Sequence, residues 1–183
     1  SNTKIERADD LLVSGMDTFS AEDLGDAISL LEATDHSSLD AALLAAARAL
    51  KNSESLLRAL MRAQAHAPSL ALAKEAAQLA LDLRHADAPL LFDKILESEP
   101  NDEETIWALR HKAIWHETDG KIAEAASLLS RAADLAGAAE ARELRTKAAK
   151  VAESANDFET ASSEYMKIFE AAPEDTTIWP DLL

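Results

Sequence analysis

One spacing recurs along the chain and limits what it can become. Asn156 is followed at offsets of 2, 5, 9, 12 and 17 residues by Phe158, Ala161, Tyr165, Ile168 and Pro173. The same offsets from Gly120 reach Ile122, Ala125, Leu129, Ala132 and Gly137. From Leu83 they reach His85, Ala88, Phe92, Ile95 and Pro100, and from Lys51 they reach Ser53, Leu56, Leu60, Ala63 and Pro68. A fainter copy starts at Glu22, with Leu24, Ala27, Leu31, Thr34 and Leu39. The central residues Ala27, Leu56, Ala88, Ala125 and Ala161 lie 29, 32, 37 and 36 residues apart, a mean period near 34. A chain with a period in this range folds as a row of like units. One unit cannot cover its own apolar face, so each leans on the next.

The units read as helical. Ala and Leu supply 39 and 27 of the 183 residues, whereas Val and Ile together supply ten. Ala and Leu are strong helix formers, and sheets draw on β-branched and aromatic residues instead. Breakers divide the chain into amphipathic stretches of about 12–16 residues with apolar positions three and four apart. Pro68, Pro100 and Pro173 follow such stretches, and polar turns sit at Asn52-Ser53, Asn101-Asp102, Asp119-Gly120 and Asn156-Asp157. Helices joined this closely pack as antiparallel hairpins. Ser20 with Asp23, and Asp87 ahead of Pro89, read as helix starts.

The segment from Asn156 through Phe158, Ala161 and Tyr165 to Pro173 resembles a tetratricopeptide repeat, and Asp119 to Ala125 is the next nearest copy. That resemblance implies an all-α superhelix of about five helix–turn–helix hairpins, near 4–35, 37–67, 69–99, 103–137 and 140–173. It covers 37–183 well and 4–36 loosely. In most copies the first helices lack the family's Trp, Leu-Gly and Tyr signature, and Lys51, Leu83 and Asn156 stand where a turn Gly is usual. The opening of the fourth hairpin, Pro100-Asn101 through Ile106-Trp107, is echoed by Pro173-Glu174 through Ile178-Trp179. Residues 176–183 therefore read as a cap or as the start of another unit. Ser1-Asn2-Thr3 reads as a cloning scar ahead of an internal cut.

The formal charge is −16, and it is concentrated at the ends. A surface this acidic repels phosphate backbones and anionic lipid, so neither nucleic acid nor a membrane is an expected partner. No run of apolar residues reaches the length of a membrane span. Four scattered Gly form no phosphate loop, and Cys is absent. His116-Glu117 opens like a zinc-protease helix, but Gly120 stands where the second His belongs. His111 and His116, five apart, fall on different faces. No enzyme, metal or cofactor is expected.

What remains is recognition of a protein or peptide. Trp107, His111 and Trp115 form a stripe at four-residue steps, which either fills gaps between Ala-rich hairpins or faces a groove. In tetratricopeptide proteins the first helices line a concave groove where peptides bind. The resemblance places Trp107, His111, Arg48, Thr146 and Lys150 there as contacts. The Lys/Asn/Arg clamp for a C-terminal carboxylate is not visible. Arg142, Arg145, Lys147 and Lys150 cluster on one helix, where they either pair with Glu140, Glu143 and Glu153 or meet an acidic peptide. The expected function is a non-enzymatic interaction module. Its rival is an accessory domain docking on the rest of its own chain, and self-association through the terminal repeat is a third option.

Overall fold

The computed structural model describes residues 20–173, and among these the fold is all-α with no strand. Contacts divide the chain into two compact units that part between His85 and Ala86.

In the first unit, α1 (Ala21–Glu32) starts where the sequence places it. The Ser20 hydroxyl accepts from the Asp23 amide and the Asp23 carboxylate accepts from the Ser20 amide, a reciprocal cap. Leu24, Ile28 and Leu31, one per turn, are buried. A 3-10 turn at Ser37–Leu39 leads into α2 (Asp40–Leu50). Two further helices, α3 (Ser53–His66) and α4 (Leu70–Asp82), are capped by the side chains of Asn52 and Ser69. Each helix packs on the next in chain order. The buried cluster joins Leu24, Ile28 and Leu31 to Leu39, Leu43, Ala46, Ala47 and Ala59.

The second unit comprises α5 (Ala88–Glu97), α6 (Asp102–Thr118), α7 (Ile122–Leu135), α8 (Ala138–Ser154) and α9 (Phe158–Ala171). Consecutive helices again pack in chain order. One cluster gathers Ile106, Leu109, Ala125, Leu129, Ala132 and Leu144. The next gathers Ala126, Ala149, Ala152, Ala161, Tyr165 and Ile168. Val151 packs against both, so the core continues from one hairpin to the next, as a helical-repeat arrangement requires.

The stretches 37–67, 103–137 and 140–173 hold the consecutive helix pairs α2–α3, α6–α7 and α8–α9. The helices of the hairpin expected at 69–99, α4 and α5, fall in different units. Of the hairpin at 4–35, only the stretch that forms α1 is described; the rest of it, and the stretch 176–183, lie outside the described residues. Of the central residues of the period, Ala88, Ala125 and Ala161 are buried, but Leu56 and Ala27 are only partly buried.

The turns repeat more strictly than the sequence. Lys51, Arg84, Gly120 and Asn156 all have positive φ and are 33, 36 and 36 residues apart. In three turns the next amide closes a long bond to the helix it leaves: His85 to the Ala80 carbonyl at 2.8 Å, Lys121 to His116 at 2.8 Å and Asp157 to Ala152 at 3.0 Å. This is the left-handed closure that satisfies orphan carbonyls at a helix end. In the second of these four turns the left-handed residue is Arg84, not Leu83, which is still right-handed as the C-cap of α4.

Candidate functional site

The open side of α8 forms a groove with a cavity of about 970 Å³. Its lining steps along one helix face at Ala139, Glu143, Thr146, Lys150 and Ser154, with Arg142, Lys147 and Val151 beside them. Glu117 at the end of α6 and Ile122 at the start of α7 complete it. The floor is apolar and the rim is charged.

Four ion pairs set which charges face the groove. Arg145 is drawn to the opposite side of α8, donating to Asp134 of α7 at 2.6 Å and to Glu164 of α9 at 3.0 Å. Glu140 is held by Arg110 of α6 at 3.1 Å. Lys147 pairs with Glu117 at 3.2 Å. The expected pairing of the α8 cations with Glu140, Glu143 and Glu153 is therefore replaced, for Arg145 and Lys147, by partners on α6, α7 and α9. Among the described residues, Lys150 is exposed and makes no ion pair.

Glu164 is 2 % exposed, and its oxygens accept from Ser130 at 2.7 Å, from Arg145 and from Lys167. Burial alone would raise its carboxyl, but the three donors outweigh burial and hold it below the usual glutamate value. This buried network fixes α7, α8 and α9 around Arg145, which fixes the rotation of α8 and so the face it presents.

Of the sequence-predicted contacts, Thr146 and Lys150 lie in this groove. Thr146 donates its hydroxyl to the Arg142 carbonyl at 2.8 Å. Trp107 and His111 lie elsewhere, half-buried on α6. The His111 ring is 4.4 Å from the Trp107 ring and both approach buried Phe92 of α5, at 6.2 and 5.8 Å. His111 Nδ1 is 2.7 Å from the Trp107 carbonyl oxygen. These rings pack α5 against α6. Arg48 belongs to the first unit, where it forks onto both carboxylate oxygens of Glu75 at 2.9 and 2.7 Å.

The sequence reading missed the groove's apolar part, Ile122, Ala139 and Val151. The detectable signal was the run of small or short residues Ala139, Thr146 and Ser154 on one face of a charged helix. It also missed Arg62, whose guanidinium donates to the carbonyls of Leu31, Thr34 and His36 at 2.8, 2.8 and 3.1 Å and so closes the end of α1. Its Nε lies 2.9 Å from Asp40 without hydrogen-bond alignment, a Coulombic contact. His66 bridges Asp40 and Asp35 at 2.7 and 3.2 Å beside it.

Among the described residues, no three His, Asp or Glu side chains are disposed to hold a metal. No described helix is long and apolar enough to cross a membrane. No family model matches the chain, and no curated protein matches it.

Proposed function

We propose that this chain is a non-enzymatic protein-interaction module of the tetratricopeptide type, which takes a peptide segment of its partner along the open face of α8. The observation that carries this reading is the groove itself. It has an apolar floor and a mixed-charge rim along a first helix whose rotation is locked by the Arg145–Glu164 network. An apolar floor inside a charged rim offers area for an apolar anchor and charge for orientation. The left-handed turns, 33 to 36 residues apart, support the repeat assignment.

Ala139 lies exposed on the groove wall, so a photo-crosslinking side chain placed there leaves the core intact. In native cells it is expected to trap a discrete polypeptide that the same group at exposed Lys94 does not. A synthetic copy of the trapped segment should bind the unmodified chain and fail to bind Ala139→Trp, which fills the groove. Equal trapping at both positions, or binding indifferent to Ala139→Trp, contradicts the proposal.

A further inference from the structure

Resting on that reading, we infer that the occupant of the α8 groove is an acidic amphipathic helix rather than an extended peptide. The lining decides between the two backbones. An extended segment brings one N–H and one C=O per residue, and each needs a partner once buried. Below the charged rim of Arg142, Glu143, Lys147 and Lys150 the groove offers few. It contains no Asn or Gln, Thr146 spends its hydroxyl proton on Arg142, and Ser154 donates to the Val151 carbonyl at 2.6 Å. A helix arrives with its backbone already satisfied and needs only side-chain contacts.

The groove also has the shape of a helix seat. Its wall steps by four, three, four and four residues from Ala139 to Ser154. That is a single stripe of about 22 Å at 1.5 Å per residue, matching a ligand helix of about 15 residues. Ala139, Thr146 and Ser154 are short, so a second axis can approach to the usual 8–10 Å.

Charge selects the acidic class. The whole chain is at −16, yet the charged side chains lining the groove are Arg142, Lys147 and Lys150 against Glu117 and Glu143. Two of the nearby carboxylates are already engaged, Glu140 by Arg110 and Glu117 by Lys147. Lys150 stands at the rim with no ion pair among the described residues. Carboxylates along the flank of an incoming helix meet this rim, whereas among the described lining residues a basic helix meets only Glu143 unengaged.

The test is a random 16-residue peptide library displayed on phage, panned on the intact chain and in parallel on Ala139→Trp, whose fold is checked by circular dichroism. Peptides enriched on the intact chain alone should carry more Asp and Glu than Lys and Arg, apolar residues three and four apart, and no central Pro. A synthetic copy of the leading peptide should gain helicity on binding. It should bind Lys150→Glu about tenfold more weakly, and Lys94→Glu unchanged. If the enriched peptides depend on the groove but are extended, Pro-containing or basic, the helix inference falls and peptide binding stands. If nothing is enriched over Ala139→Trp, both fall.

Discussion

Lys51, Arg84, Glu99 and Asn156 hold φ between 52° and 60°, a region that costs a residue with a Cβ about 1–2 kcal/mol. Gly120, at φ 76°, fills the equivalent turn without that cost. Arg84→Gly should therefore stabilise the chain by about 0.5–1 kcal/mol, the relief less the extra freedom of unfolded Gly. Gly120→Ala should cost about 1 kcal/mol, although a Cβ there meets nothing within 4 Å. Urea unfolding of the two variants reads both signs, and equal effects would show that these turns do not store strain. His116 gives a second handle at this scale. Burial, then Lys112 and Lys121, hold its imidazole below the ordinary histidine value, with Glu124 and Asp119 opposing, and its buried Nδ1 has no hydrogen-bond partner. The unfolded chain thus binds this proton more readily than the folded one. The contribution of His116 to stability is complete above about pH 6.5 and is lost as the pH falls through the lowered value. His116→Gln should flatten the decline in melting temperature between pH 7.5 and 5.5, and an unchanged slope would exclude His116 as its source.

At the scale of helices, small residues set the crossings and one buried carboxylate sets the orientation. Ala125 is fully buried and Ala161 is 2 % exposed. Ala125→Leu or Ala161→Leu should overpack α7 or α9 at a cost of about 1–3 kcal/mol, measured by chemical denaturation. Glu164→Ala should cost about 3 kcal/mol because Arg145 keeps only Asp134 as a partner. Below the usual glutamate range the wild type should approach the variant. The lowered Glu164 carboxyl contributes above about pH 4.5 and ceases to contribute as acid protonates it. These helices were largely legible in the sequence, because Ser20, Asn52, Ser69, Asn101 and Asp157 cap them through their own side chains, a local chemistry. What the charged residues do was not legible. Arg145 pairs 11 and 19 residues away, and Arg110 pairs 30 residues away. The sequence of α8 itself offered Glu140, Glu143 and Glu153, and only the packing of α6, α7 and α9 shows which carboxylates come within reach.

Across the whole molecule, period and composition specify a helical-repeat fold, and within each compact unit the helices follow chain order. The candidate site was half legible. Thr146 and Lys150 could be placed on a first helix by phase alone. The aromatic pair Trp107 and His111 has the same phase, but its surroundings depend on Phe92 of the preceding helix, to which both rings are packed. Trp107→Ala should therefore lower the melting temperature, as loss of a half-buried aromatic in a packed cluster does. A variant that melts unchanged and binds a groove peptide poorly would instead make Trp107 a contact. The central claim, that recognition runs along α8, is tested most directly by amide chemical-shift mapping of the intact chain with a library-selected peptide. The shifts should concentrate on Ala139, Glu143, Thr146, Lys150 and Ser154. Shifts centred on Ser127 and Thr160, in the separate cleft between α7 and α9, with α8 unmoved, would contradict it.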